Sequence, residues 1–116
     1  MDSNTDLLFQ ELYKNFNERR IDLVIAQMTK DVKWANGMDG GYVYGRKGVE
    51  EYWTRQFKMI NSKVTPIEIR EEQGRVILKI HQVVHDLNGN LLANEMTEHI
   101  FYLNDGQISE FHIKQQ

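Results

Sequence analysis

The sequence predicts an α+β fold in which helices come first and an antiparallel sheet follows. Apolar residues recur at helical spacing in the first half of the 116-residue chain, whereas long runs rich in β-branched and aromatic residues fill the second half. The pair Asn88-Gly89 separates two such runs, at residues 75–85 and 91–103. Because both residues tolerate the positive φ of a type I′ turn, the pair predicts a hairpin with a two-residue turn. Helices followed by an antiparallel meander are typical of a helix layer on one side of a curved sheet.

Three helices are predicted from N-capping residues and apolar spacing. Asp6 and Asp22 are suitable N-caps for helices at about residues 5–18 and 22–28. Apolar residues at helical spacing predict the third helix at residues 46–58.

Five strands are predicted, at residues 32–35, 63–71, 75–85, 91–103 and 107–114. Pro66, the only proline, indicates that its strand lies at an edge of the sheet, because proline cannot donate a ladder hydrogen bond. Gln73-Gly74 and Asp105-Gly106 are predicted turns between strands. Several glycines between residues 37 and 48 predict a loop at the rim of a pocket.

Composition limits the classes of function. A chain of 116 residues is long enough for one domain, residues 1–116, with its own hydrophobic core. It has no cysteine, which excludes disulfides and thiolate chemistry, and its net charge of −3 without a basic block argues against nucleic acid. A polar N-terminus and the lack of a long apolar run predict no membrane partner and a cytoplasmic location. The expected partner is a small molecule, and no cofactor is predicted.

The predicted hairpin determines which residues of its two strands share a face, because paired residues point the same way. The two-residue turn predicts four cross-strand pairs: His85 with Leu92, Val83 with Asn94, His81 with Met96, and Lys79 with Glu98. This face carries polar groups among apolar residues, and it is predicted to line the pocket. The opposite face carries Val76, Leu78, Ile80 and Phe101. A helix layer on the pocket face could not bury these apolar residues, so this face is predicted to form a homodimer contact.

Glu98 and His81 are the candidate catalytic acid and base, since imidazole beside a carboxylate is a common proton-transfer pair near neutral pH. The alternative is that Glu98 forms a cross-strand ion pair with Lys79 on an exposed or interface surface. His81 and His85 lie about 13 Å apart at the rise of a strand, so no metal site is predicted. His99 is interpreted as a surface or interface histidine.

The predicted ligand-binding residues are mostly aromatic: Tyr13, Trp34, Asn36, Tyr52, Trp53, His85, Met96 and Phe111. For the aromatic side chains, packing in the core is the alternative. Tyr42 and Tyr44 lie in the glycine-rich loop, where they are predicted to form a pocket lid or a dimer contact.

Three further runs resemble a known family: TKDVKW at residues 29–34, GRKGVEEYW at 45–53 and NDGQISEF at 104–111. In this order they are similar to the SnoaL-like and ketosteroid isomerase-like branch of the nuclear transport factor 2-like superfamily. The resemblance covers nearly the whole chain. It implies a conical, cystatin-like α+β barrel, in which a curved, mainly antiparallel sheet wraps around N-terminal helices. It also implies a deep pocket between helices and sheet, and frequent dimerisation.

The resemblance also implies positions for catalytic groups. Ketosteroid isomerase combines an aspartate base with an oxyanion hole made by a tyrosine and a protonated aspartic acid. Here the position of the base falls on Asn36, which cannot abstract a proton, and that of the oxyanion acid falls on Glu98. The helix tyrosine falls on Leu12, next to Tyr13, and Tyr52 falls on a pocket-lining position.

Two classes of function follow as hypotheses. The first is a pocket protein for an apolar or carbonyl-containing compound, which could also act as a cofactor-independent isomerase, cyclase or dehydratase through Glu98 and His81. The second is a non-catalytic dimerisation module, favoured by Asn36 and Leu12 at catalytic positions. The location of Glu98 discriminates between them, because a closed apolar cavity supports chemistry and an open surface supports the module.

Overall fold

A computed structural model of the chain describes residues 3–115, which form helices followed by one sheet. The helices are α1 (Ser3–Asn17), α2 (Ile21–Ile25) and α3 (Gly45–Gln56). The strands are β1 (Met28–Ala35), β2 (Tyr42–Tyr44), β3 (Ile60–Glu72), β4 (Arg75–Asp86), β5 (Leu91–Asn104) and β6 (Gln107–Gln115). Every predicted helix and strand is present, so the predicted α+β class is confirmed. The sequence missed β2, because its three residues lie in the glycine-rich segment that predicted only a loop.

The six strands form one curved, unclosed sheet in the order β2-β1-β6-β5-β4-β3. All neighbouring strands are antiparallel except β1 and β6, which are parallel. Strand β3 lies at one edge of the sheet, as Pro66 predicted. In the parallel pair, Trp34 of β1 lies opposite Phe111 of β6, so the first and the last strand of the chain lie side by side within the sheet.

The core lies between the helices and the inner, concave face of the sheet. From the helices, Phe9, Leu12, Val49 and Tyr52 are buried there, and from the sheet, Val76, Leu78, Ile80 and Phe101. The helix layer therefore covers the apolar-rich face of the hairpin, and the sequence-based prediction that this face contacts a second subunit is wrong. Alternation shows which residues share a face, but it does not show which face the helices cover.

The β4–β5 connection differs from the predicted two-residue turn. Asp86 Oδ1 accepts hydrogen bonds of 2.9 Å from the backbone amides of Asn88 and Asn90, which stabilises a longer connection. Gly89 has a φ of 87°, whereas Asn88 does not adopt a positive φ, so the turn is not type I′.

Most of the predicted register is nevertheless correct. A bulge between Val84 and His85 pairs His85 with Leu91 instead of Leu92. The bulge offsets the longer connection, so His81 faces Met96 and Lys79 faces Glu98 as predicted.

The other two predicted turns are present. Gln73 and Gly74 have φ values of 53° and 78°, and Asp105 and Gly106 have values of 52° and 79°. Two consecutive residues with positive φ are the signature of a type I′ turn, in which glycine carries no steric cost. Within residues 3–115, no helix is both long and apolar enough to cross a membrane.

Candidate functional site

A cavity of about 300 Å³ lies between the helix layer and the inner face of the sheet. Its wall is largely aromatic and contains Tyr13, Phe16, Trp34, Tyr52, Trp53, Phe101 and Phe111. The rings touch one another: Trp34 and Phe111 have centroids 4.2 Å apart, and Trp53 lies 4.6 Å from Phe16. A concave apolar site of this size with a few polar groups is typical of a small-molecule pocket.

Tyr13 and His99 form a hydrogen-bonded pair in this wall. Tyr13 lies on α1 and His99 on β5, and the phenolic oxygen is 2.7 Å from Nδ1 of the imidazole. Both residues are buried, with exposed fractions of 5% and 7%. The helix layer and the sheet therefore each contribute one polar group to the same point of an otherwise apolar wall.

Burial keeps both members of the pair neutral. Desolvation lowers the pKa of His99 from 6.5 to about 3, because the low-dielectric surroundings disfavour the imidazolium. Desolvation also raises the pKa of Tyr13 well above its usual value, because the phenolate would lose its hydration. At neutral pH the site therefore holds an uncharged imidazole and an uncharged phenol.

The pair retains one proton that its internal hydrogen bond does not use. If Tyr13 donates to Nδ1, the neutral imidazole carries its proton on Nε2; if Nδ1–H donates, the phenol proton is free. In either tautomer the pair can donate one hydrogen bond to a ligand. It resembles in kind a neutral acid held in an apolar site to bind a carbonyl oxygen.

Three further polar groups of the wall have no hydrogen-bond partner in the described part of the chain. They are the Nε1 atoms of Trp34 and Trp53 and the phenolic oxygen of Tyr52. Burial is the main cause that raises the pKa of Tyr52. Buried polar groups without partners are uncommon, because each costs about 1–3 kcal/mol.

The mouth of the cavity is formed by exposed residues of the β1–β2 loop and of β5. They are Gly37, Met38, Leu92 and Glu95. Asn36 shapes this loop, because its Oδ1 accepts hydrogen bonds from the amides of Met38 (3.2 Å) and Asp39 (2.9 Å). Such a side-chain turn is a common role for asparagine in loops.

Of the eight predicted ligand-binding residues, five lie in the cavity wall: Tyr13, Trp34, Tyr52, Trp53 and Phe111. Asn36 lies beside the mouth but is not part of the wall. His85 and Met96 point to the outer face of the sheet, so the prediction that they line the pocket is wrong. The exposed side chains of Tyr42 and Tyr44 are not in the wall either, and Tyr42 is within 2.8 Å of His112 Nδ1.

Glu98 and His81 also lie on the outer face, so their predicted place in the pocket is wrong. The Glu98 carboxylate lies 3.4 Å from the guanidinium of Arg70 on β3. His81 Nε2 lies 2.6 Å from Oδ1 of Asn94 on the neighbouring strand. Both arrangements are cross-strand contacts on the outer face, so the alternative interpretation of Glu98 as a member of a cross-strand ion pair holds, with Arg70 as the partner instead of the predicted Lys79. The geometric reason for pairing Glu98 and His81 as acid and base is thereby removed.

Of the polar pair in the wall, Tyr13 was among the predicted ligand-binding residues and His99 was missed. The positions that the resemblance implies for the oxyanion groups, Leu12 and Glu98, are each followed by a member of the pair, Tyr13 and His99. The interpretation of His99 as a surface histidine is wrong. The available signal was Phe101, an apolar residue two positions away on the same face of β5.

The fold and cavity together define a class of protein, a curved sheet covered by helices that enclose a largely aromatic cavity. The model of the SnoaL-like domain matches residues 9–111, so the chain belongs to the SnoaL-like family and the predicted resemblance is confirmed. No curated protein is similar enough in sequence to match the chain.

Solved structures share the fold. A protein of unknown function from Burkholderia pseudomallei, described as NTF2-like, has a TM-score of 0.86 at 24% identity, covering 99% of this chain and 92% of its own. A protein with a ketosteroid isomerase-like fold from Catenulispora acidiphila has a TM-score of 0.82 at 12% identity, covering 94% and 85%. An LEH-like epoxide hydrolase from M. tuberculosis has a TM-score of 0.80 at 14% identity, covering 96% and 81%. At these identities the likeness shows the fold alone.

Proposed function

We propose that the protein binds a flat, mostly apolar compound that carries a carbonyl group, and that the Tyr13–His99 pair donates a hydrogen bond to the carbonyl oxygen. The observation that carries the proposal is the buried, uncharged pair in an aromatic wall. Aromatic rings favour a flat ligand, and a neutral donor in an apolar site favours an acceptor such as a carbonyl. The family of small-molecule pocket domains to which the chain belongs agrees with this proposal.

Binding is better supported than turnover. An isomerase or lyase reaction at a carbonyl compound needs a base close to the carbon next to the carbonyl, in addition to the donor. Among the described residues of the cavity wall, the only carboxyl group belongs to Glu95, at the mouth. No group of three His, Asp or Glu residues within residues 3–115 is placed to hold a metal ion.

Tyr13→Phe is expected to weaken the binding of carbonyl compounds roughly threefold to tenfold. Tyr13 is either the donor itself or the group whose hydrogen bond to Nδ1 holds the proton of His99 on Nε2, and one hydrogen bond contributes about 0.5–1.5 kcal/mol. Binding can be followed by quenching of tryptophan fluorescence, since both tryptophans of the chain lie in the cavity wall. A panel of aromatic ketones and quinones provides the ligands, each compared with its hydrocarbon analogue.

The matched control is Tyr102→Phe, which removes a hydroxyl from the outer face of β5. It should leave every affinity unchanged. A panel in which no ketone quenches the tryptophans, or in which Tyr13→Phe binds ketones as tightly as the wild-type protein does, contradicts the proposed function.

We also propose that the protein forms a homodimer through the outer face of the sheet. Val83, Met96, Ile100 and Tyr102 are half-buried apolar residues on this face, and no helix of the described chain covers them. Apolar area of this kind on a sheet favours a self-complementary contact.

Ile100→Lys is expected to shift the protein from dimer to monomer at micromolar concentration, because it introduces two like charges into a symmetric contact. Sedimentation velocity measures the shift. Leu23→Lys, on the exposed side of α2, is the control and should remain dimeric. A monomeric wild-type protein at high micromolar concentration contradicts the proposal.

A further inference from the structure

Glu95 is the only acidic residue in the described wall of the cavity, and the wall contains no lysine or arginine. It lies on the inner face of β5, opposite Gln82 of β4, and its side chain is exposed at the mouth. Within residues 3–115 its carboxylate forms no hydrogen bond or ion pair. Other surface acids of the sheet, such as Glu110 and Glu72, have partners on neighbouring side chains.

The neighbouring Gln82 adds a second acceptor at the same end. Its amide nitrogen donates a 3.1 Å hydrogen bond to Oγ of the buried Ser62. This bond leaves the carbonyl oxygen of Gln82 available in the cavity wall. The wall therefore contains two acceptors, at Glu95 and Gln82, in addition to the donor at the Tyr13–His99 pair.

The separation of the two ends decides what Glu95 can do. Glu95 and His99 are four residues apart on one strand, so their side chains emerge about 13 Å apart. A base must come within about 3 Å of the proton that it removes. A ligand whose carbonyl oxygen is bound at Tyr13–His99 therefore places its adjacent carbon out of reach of Glu95, but its opposite end within reach.

We propose that Glu95 is a specificity-determining residue that selects ligands with a hydrogen-bond donor, above all a protonated amine, at the end opposite the carbonyl. The inference rests on the proposed function and names the ligand class: an elongated aromatic ketone or quinone with a distal ammonium or hydroxyl group. Ring faces in the wall attract a cation, and the carboxylate repels an anion, so a distal carboxylate is excluded.

The test uses para-acetylbiphenyls that differ only in the substituent on the distal ring: aminomethyl, hydroxymethyl, methyl or carboxylate. Each compound is titrated against the wild-type protein, Glu95→Gln and Glu95→Lys by tryptophan quenching, at low and at high salt. Glu50→Gln, an equal change of charge at an exposed residue of α3, is the control.

The wild-type protein is expected to bind the aminomethyl compound most tightly and the carboxylate most weakly. Glu95→Gln should reduce the preference for aminomethyl over methyl roughly threefold to tenfold, because the exposed carboxylate interacts with the ammonium close to solvent, where an ion pair is weak. Glu95→Lys should reverse the order, and high salt should weaken the preference. Glu50→Gln should preserve the wild-type order.

The two proposals fail in different ways. If the compounds bind, and Tyr13→Phe weakens them, but Glu95→Gln and Glu95→Lys keep the wild-type order of substituents, the role of Glu95 is overturned and the proposed function stands. If none of the four compounds binds the wild-type protein, the proposed function fails and the inference about Glu95 fails with it.

Discussion

Phe101→Ala is expected to lower the free energy of unfolding by about 3–5 kcal/mol, the largest effect of any substitution considered for this chain. Phe101 is 1% exposed on the inner face of β5. Its ring centroid lies 4.8 Å from that of Phe9 on α1 and 5.0 Å from that of Phe111 on β6. Removal of the ring therefore leaves a void at the contact between the helix layer and the sheet, where neighbouring rings cannot collapse without losing their own contacts.

Tyr102→Ala is the matched control, because it truncates the next aromatic residue of the same strand on the opposite face. Both substitutions are made in the Ile100→Lys background, in which the proposed dimer contact is absent; Tyr102 is half-buried there, so its loss should cost about 1 kcal/mol. Urea denaturation followed by circular dichroism measures both values, and an unchanged m-value supports a change in stability alone. An equal or larger cost for Tyr102→Ala contradicts the assignment of the inner face.

Acidification is expected to destabilise the protein through His99 well above the pH at which most carboxylates are protonated. The pKa of His99 is about 3 in the folded protein and close to 6.5 in the unfolded chain. Between these two values the unfolded chain binds one more proton, so stability falls as the pH falls, by roughly 1.4 kcal/mol per pH unit. The contribution is complete above pH 6.5 and decreases toward pH 3. From pH 7 to pH 4.5 the expected loss is roughly 2–3 kcal/mol.

The measurement is the free energy of unfolding at pH 7 and pH 4.5 for the wild-type protein, His99→Gln and His112→Gln. His99→Gln removes the titrating group and should lose most of this pH dependence, whatever its effect at pH 7. His112 is on the outer face of β6, where its Nε2 lies 2.9 Å from Glu110 Oε1. His112→Gln retains His99 and should therefore keep the part of the pH dependence of stability that His99 causes. Identical pH dependence in the wild-type protein and His99→Gln would contradict the buried, neutral imidazole.

The contact between Asp86 and Asn90 is also sensitive to acid, but it is lost at a lower pH than the contribution of His99. Hydrogen bonds from Asn90 are the main cause that lowers the pKa of Asp86, so the stability from this contact is present above the usual aspartate range and lost below it. At pH 4.5 the Asp86 carboxylate is still ionised, because its pKa lies below 3.8. The pH interval chosen for His99 therefore excludes this contribution.

The sequence could predict the helices and strands because each depends on local patterns. Apolar spacing located α1 and α3, and turn residues separated the long strands. Five of the aromatic residues predicted to bind a ligand lie in the cavity wall, and for Tyr52 the family resemblance had implied a pocket-lining position. The pairing of Lys79 with Glu98 was also correct, although the bulge and the longer turn that produce it were not predicted.

The candidate site could not be predicted in the same way, because it depends on which face of the sheet the helices cover. Alternation in β4 and β5 places His81 and Glu98 on one face of the sheet and His99 on the other. It does not predict which of these two faces the helices cover. A face with several polar residues resembles a surface in the sequence, yet here Gln82, Glu95 and His99 lie on the inner face.

By itself, then, the sequence determined the α+β class, the order of the elements, the hairpin register and the SnoaL-like family, all of which follow from spacing along the chain. Only the tertiary structure decided that Tyr13 and His99 meet 2.7 Å apart, although they are separated by 86 residues. It also decided that Glu98 faces outward. The physical reason is that burial of one sheet face is a property of the packed helix layer, and the low dielectric behind that layer is what turns an ordinary histidine into a neutral polar group of a cavity.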